Sequence, residues 1–123
     1  MHNSLELWAL TRHLGTYDNL AEFCPGDITL NELRLITYIA IGEYKGNPVG
    51  VGEIAAWAKI PRSTVSRMVQ KWIEEEFITS RPHPTDARRT QFFLEPMQRQ
   101  HTLEKWAKGA LALSRANPPP EGS

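Results

Sequence analysis

"PRSTVSRMVQKWIEEEFITSRPHPTDARRTQFFL", Pro61 to Leu94, carries two hydrophobic periods in succession. In its first part Val65, Met68, Val69 and Trp72 recur at i, i+3, i+4 and i+7, the signature of a helix with one apolar face. The opposite face holds Ser63, Thr64, Ser66, Arg67, Gln70 and Lys71. Pro61 has its φ preset for a first helical turn and needs no N–H partner there. After Phe77 the period falls to two. "FITSR" and "TQFFL" are rich in the β-branched and aromatic residues that strands favour, and they flank the proline-bearing loop "PHPTDAR". These residues predict a helix over 61–76 followed at once by a two-stranded hairpin.

Just upstream, "VGVGEIAAWAKI" reads as a short helix from Val51 to about Lys59. Gly50 occupies its N-cap position with Glu53 three residues on, a capping box that lacks its hydroxyl. A short helix and a longer amphipathic one joined by a tight turn is the helix-turn-helix plan. The hairpin behind it makes the fold class mainly α with a two-stranded β-hairpin wing, a winged helix-turn-helix.

Farther upstream, "ITLNELRLITYIAIGEY" is a helix whose Thr29 and Glu32 have capping-box spacing, with Ile28 as the staple residue. Leu33, Ile36, Thr37 and Ala40 form one stripe, and Leu30, Ile39 and Ile41 make the helix apolar on several sides, as suits the centre of a domain. "GEYKGNPVG" ends it. At the N-terminus Leu7, Leu10 and Leu14 share a helical face, with Leu5 and Trp8 flanking. Gly15 is read as the stop of that helix, and Asp18 to Phe23 as a separate helical piece before "CPG". At the other end Pro96 opens a last helix, lined on one side by Leu103, Trp106, Ala107, Ala110 and Leu113 out to about Arg115.

The 123 residues carry 14 basic and 14 acidic side chains, a net charge of zero, but the charge is not evenly placed. Residues 1–58 hold three basic and seven acidic side chains; residues 59–105 hold nine and six, three of those six being Glu74, Glu75 and Glu76. Positive charge therefore concentrates where the amphipathic helix and the hairpin lie, and nucleic-acid binding depends on that placement rather than on the total.

An α-helix fits the major groove of B-DNA, where each base pair presents a distinct donor and acceptor pattern. Such a helix needs an apolar face for its own domain, and small hydroxyl and long basic side chains near its N-terminus. "PRSTVSR" supplies these. Ser63 and Thr64 lie in the first turn, where free N–H groups and the positive end of the helix dipole favour a phosphate. Arg62 and Arg67 have the reach for guanine edges or phosphates, with Ser66 and Lys71 on the same side. The competing reading is an ordinary amphipathic surface helix.

The hairpin tips the balance, because a cationic wing tip suits the narrow, negative minor groove of A-tracts. Asp86 sits two residues before Arg88, close enough to orient its guanidinium by charge-assisted hydrogen bonds. Pro82 and Pro84 stiffen the loop, and Arg81 and Arg89 suit phosphates.

These segments together resemble the MarR (multiple antibiotic resistance regulator) family of bacterial winged-helix regulators, from about Ile28 to Leu94. The likeness rests on "ITLNELRLITYIA", on "VGVGEIAAWAKIPRSTVSRMVQKWIEEEFI", and on a wing in which Asp86, Arg88 and Leu94 fall in the family's Asp-x-Arg, five residues, Leu-Thr register. Glu95 stands where the family has the Thr that caps the next helix, Lys59 where the helix-turn-helix turn often has Gly, and Gly50 where the usual cap is Ser or Thr. The family's first and last helices are also usually longer. The resemblance implies a homodimer that binds a pseudo-palindromic operator and usually represses. It also implies that Arg88 enters the minor groove oriented by Asp86, while Ser63, Thr64, Ser66 and Arg67 approach the major groove.

One winged-helix domain is expected over 1–116. Residues 28–94 are its DNA-binding core, 1–23 and 97–116 its terminal dimerisation helices, and 117–123 ("NPPPEGS") a flexible tail. The Leu7, Leu10, Leu14 stripe and the Leu103, Trp106, Ala110, Leu113 stripe are expected in the dimer interface, because a small winged-helix core cannot cover both. Cys24 is read as a plain free thiol: one cysteine makes no internal disulfide, and Glu22 and Asp27 nearby would raise its pKa rather than activate it.

His13, His83 and His101 have no metal-ligand spacing with each other or with Cys24, so no metal and no cofactor are expected. The tryptophans Trp8, Trp57, Trp72 and Trp106 are read as packing, and a small-molecule effector is possible but unsupported. There is no glycine-rich phosphate loop and no nucleophile–base pair, so the chain is not read as an enzyme. No apolar run approaches the roughly 20 residues of a membrane span, and a cytoplasmic location is expected.

The reading is a dimeric, sequence-specific regulator of transcription that binds double-stranded DNA, with helix 61–76 in the major groove and wing 81–91 in the minor groove, expected to act as a repressor because the family resemblance implies it. The alternative is a winged helix used as a protein-interaction or replication-initiation module of a phage or plasmid system.

Overall fold

The computed structural model describes residues 3–23, 26–116 and 118–120. The elements are α1 (Asn3–Phe23), α2 (Leu30–Tyr44), α3 (Val51–Ala58), α4 (Arg62–Glu74), β1 (Ile78–Pro82), β2 (Thr90–Leu94), α5 (Pro96–Gln98) and α6 (Glu104–Ala116). A π-helical turn, Arg99–Leu103, joins the last two. Cys24 lies outside the described residues, as do residues 117 and 121–123 of the expected tail. The chain forms two compact units, Ile28–Gln98 and the terminal segments Met1–Asp27 with Arg99–Ser123.

In the first unit, α2 opens on the expected capping box: the Glu32 N–H donates to Thr29 Oγ1 at 3.1 Å, and the Thr29 N–H donates back to the Glu32 carboxylate at 3.0 Å. The buried face of α2 is Leu35, Ile36, Ile39 and Ala40. Leu33 and Thr37 are only half-buried, and Leu30 and Ile41 are exposed, so the core-facing side is turned from the expected stripe. Val49 ahead of α3, Ile54 and Ala55 of α3, Val65, Val69 and Trp72 of α4, Ile78 of β1, and Phe92 and Leu94 of β2 complete the core. The helix over 61–76 is realised as Arg62–Glu74 with Pro61 as its N-cap.

The strands are antiparallel, with Ile78 opposite Leu94 and Pro82 opposite Thr90. A hairpin alone is marginal in water. This one is held on β2's other edge by the segment before α3: the Phe92 N–H donates to the Val49 carbonyl at 2.9 Å, and Gln91 Nε2 donates to the Pro48 carbonyl at 3.2 Å. Gly50 is required there, because a Cβ on it would lie 2.5 Å from the Thr90 carbonyl oxygen.

Helices α2 and α4 end alike. The Asn47 N–H returns to Gly42 O at 2.9 Å with Gly46 at φ 76°, and the Phe77 N–H returns to Trp72 O at 2.8 Å with Glu76 at φ 59°. Both are Schellman closures needing a left-handed residue, which glycine meets without strain and glutamate does not. Lys59, after α3, is also left-handed, at φ 58°. The departure at Glu95 is functional as a cap: its carboxylate accepts from the Met97 and Gln98 N–H groups at 2.9 and 3.3 Å.

The terminal unit corrects two expectations. Helix α1 does not stop at Gly15 but runs through it as one 21-residue helix. The glycine is a close-approach residue, since a Cβ there would lie 2.8 Å from Leu113 Cδ1 of α6. Hydrogen bonds from Arg12 Nη2 to Ser114 Oγ (2.7 Å) and from Asn19 Nδ2 to the Trp106 carbonyl (3.0 Å) join the same two helices. The last helix is not continuous from Pro96, because the π-helical turn interrupts it. Its extra residue per turn leaves no mark on the apolar spacing that the sequence displays. No helix among the described residues is long and apolar enough to cross a membrane.

The two apolar stripes also fare differently. Leu103 is buried, and Trp106, Ala110 and Leu113 are half-buried, within a unit where α6 packs on α1. Leu7, Leu10 and Leu14 remain 65%, 68% and 60% exposed. The C-terminal stripe is thus partly covered, while the N-terminal stripe is left exposed.

Candidate nucleic-acid interface

Helix α4 buries Val65, Val69 and Trp72 and turns Arg62, Ser63, Ser66, Arg67, Gln70 and Lys71 to water, with Thr64 half-buried. No side chain caps its first turn, so that end keeps N–H groups and the positive pole of the helix dipole for an incoming anion. Arg67 lies along its own helix, Nη2 at 3.5 Å from Thr64 Oγ1.

The other two cations of α4 have protein neighbours. The Arg62 guanidinium lies over Gly52, 2.9 Å from where a Cβ would stand. Lys71 Nζ is 4.0 Å from Glu32 Oε2. Burial pushes the Glu32 carboxyl up, but hydrogen bonds from Thr29 and from the Trp72 indole N–H, with the Lys71 charge, together hold it below its usual range.

On the wing, Asp86 and Arg88 pair as the spacing suggests. Asp86 Oδ1 accepts from the Arg88 backbone N–H at 3.2 Å and from Arg88 Nε at 3.4 Å. The Arg88 side chain is nonetheless 93% exposed: oriented at its root and free at its fork. The loop is closed by the His83 N–H to the Arg89 carbonyl at 2.9 Å and the Arg89 N–H to the Asp86 carbonyl at 3.0 Å. His83 Nδ1 accepts from the Thr85 N–H at 3.1 Å.

The remaining wing arginines point elsewhere. Arg81 stacks on Phe93, its guanidinium carbon 4.2 Å from the ring centroid. Arg89 forms an ion pair with Glu53, whose other carboxylate oxygen accepts the Gly50 N–H, the one half of a capping box that a glycine N-cap allows. Glu53 is a site residue that sequence reading recognised only as a cap. Its partner lies 36 positions away, a distance no local pattern bridges. Beside this pair a cleft of about 320 Å³ opens between Tyr38, Asn47, Glu53, His83, Arg89 and Gln91.

The described residues contain no group of three or more His, Cys, Asp or Glu side chains placed to hold a metal ion. Trp72 is core, 3% exposed. Trp57 stacks on Tyr38, centroids 4.2 Å apart, with Arg34 over its ring.

The family model described as MarR family matches residues 26–89. No curated protein matches the sequence. Among solved structures, the transcriptional regulator Tm0710 from Thermotoga maritima is 17% identical, with a TM-score of 0.66 over 94% of this chain and 75% of that one. The S. aureus MepR–DNA complex is 16% identical, with a TM-score of 0.63 over 90% and 85%. S. aureus MepR bound to ethidium bromide is 15% identical, with a TM-score of 0.68 over 90% and 77%.

Proposed function

The chain belongs to the MarR family, and on that footing we propose that it is a homodimeric, sequence-specific DNA-binding regulator of transcription that acts as a repressor. The observation that carries this reading is the wing: an Asp86-held Arg88 whose fork is almost wholly in solvent, directly downstream of a helix with an uncapped, polar N-terminal half. Ser63, Thr64, Ser66 and Arg67 are assigned to the major groove, Arg88 to the minor groove, and Arg62, Lys71, Arg81 and Arg89 to phosphates. The exposed Leu7, Leu10 and Leu14 face supports the twofold contact, which sets half-sites about one helical turn apart or a multiple of it.

Phosphate contacts dominate affinity, so binding falls with salt. Selection of bound sites from random duplex DNA tests the whole reading: a two-fold symmetric motif is expected, and an absence of enrichment overturns it. On the selected site, Arg88→Ala weakens binding by about 1–3 kcal/mol in a titration at fixed salt. An unchanged affinity removes Arg88 from the interface.

A further inference from the structure

We propose that Glu53 is a built-in competitor of DNA, holding the Arg89 guanidinium in the free protein and surrendering it to a backbone phosphate on binding. The inference rests on the DNA-binding reading above and extends it to a residue that carries the wrong charge for a DNA contact. Glu53 uses its two carboxylate oxygens for two jobs: one accepts the Gly50 N–H at the start of α3, the other holds Arg89. The first job ties it to the positive end of α3, where a carboxylate remains stabilised after Arg89 has gone. The second is separable. Both side chains of the pair are in good part solvent-exposed, 56% for Arg89 and 38% for Glu53, so the guanidinium turns away at little cost.

The pair is not what holds the wing in place. That is done by the Phe92 N–H on the Val49 carbonyl, Gln91 on the Pro48 carbonyl, and the buried Phe92 and Leu94 side chains. The cleft beside the pair gives a phosphate room to approach, and Asn47, His83 and Gln91 line it with polar groups. In a helix-turn-helix the first helix crosses the DNA backbone, which brings the start of α3 to a phosphate. A guanidinium binds phosphate by the same two-pronged geometry it uses for carboxylate, so one partner replaces the other without a new side-chain shape.

Competition and anchoring predict opposite signs for Glu53→Gln, which keeps an acceptor for the Gly50 N–H and removes the charge. If Glu53 competes, the variant binds duplex DNA roughly two- to fivefold tighter at fixed salt, the range set by an exposed ion pair. Its slope of log affinity against log salt stays at the wild-type value. Arg89→Gln lowers that slope by about 0.9, the loss of one phosphate contact, and Glu53→Gln gives no gain in the Arg89→Gln background. Weaker binding by Glu53→Gln overturns the proposal in favour of a structural anchor. A gain that persists without Arg89 overturns it in favour of bare charge repulsion.

Should Glu53→Gln fail to fold, judged by its circular dichroism melt, the exchange is read on the wild-type chain from the carboxyl ¹³C resonance of Glu53. It shifts on saturation with a duplex if Arg89 departs, and an unmoved resonance overturns the proposal. A wild-type chain that binds no duplex removes the DNA-binding reading itself, whereas one that binds while Glu53→Gln binds no tighter removes only the competition.

Discussion

The unit Ile28–Gln98 and the terminal unit bury their apolar side chains to different extents. In the first, α2, α3, α4 and both strands each supply buried core residues, from Leu35 and Ile39 to Phe92 and Leu94. In the second, Leu103 is the one buried apolar side chain among the described residues, while Leu5, Leu7, Leu10, Leu14, Tyr17 and Leu111 stay exposed. The first unit is stabilised by its own packing. The second is a helix pair joined along one side, with its other side left to water, the form expected of a surface that meets another chain.

Trp72→Ala is the largest available break. Trp72 is 3% exposed and its indole N–H donates to Glu32 at 3.4 Å, so truncation opens a cavity and removes a part-buried hydrogen bond. About 3–5 kcal/mol of stability is lost, read from the urea unfolding midpoint. Leu10→Asp, in the middle of the exposed stripe, is its counterpart. It changes chain stability by about 0.5 kcal/mol or less, as surface substitutions do, but shifts sedimentation from dimer to monomer by placing a charge in the proposed twofold contact. A Leu10→Asp chain that unfolds instead would mean that the terminal unit has a core of its own, and the contrast between the units would fail.

The same contrast explains what was legible in the sequence. Readable features were those written in local chemistry: the Thr29–Glu32 capping box, the apolar face of α4, the strand period after Phe77, and the Asp86–Arg88 pair two residues apart. What escaped depends on contacts far along the chain. Gly15 looks like a helix stop until Leu113 is seen against it, because a glycine that ends a helix and one that admits a neighbouring helix are the same letter. Arg89 looks like a free phosphate ligand until Glu53 is found beside it. The core side of α2 was misplaced because that helix is apolar on several sides, so periodicity alone could not choose among them.

Smaller substitutions sharpen the comparison within the first unit. Gly46 and Glu76 occupy equivalent left-handed positions after α2 and α4, and only Glu76 carries a Cβ penalty there. Its carboxylate also sits at the negative end of the α4 dipole. Glu76→Gly therefore stabilises by about 1 kcal/mol, seen as a higher urea midpoint, while Gly46→Ala moves the midpoint the other way. Equal responses at the two sites would mean that the left-handed turn after α4 is not a source of strain.

Glu32 gives the smallest effect and the one that depends on pH. Burial alone would raise its pKa, yet Thr29, Trp72 and Lys71 hold it below the ordinary value of 4.5. A carboxyl whose folded pKa is depressed binds its proton more tightly in the unfolded chain, so acid favours unfolding. The stabilisation is complete above the unfolded value and is lost as pH falls through 4.5 toward the lowered folded value. Glu32→Gln removes the charge but keeps an acceptor for the Thr29 N–H, since glutamine also serves in a capping box. The variant should be somewhat less stable than wild type at pH 7, with the two urea midpoints converging as pH falls through 4.5 toward the lowered folded value. A gap that persists undiminished into acid would show that Glu32 acts through hydrogen-bond geometry rather than charge, and that α2 and α4 are linked by the Trp72 contact without help from Lys71.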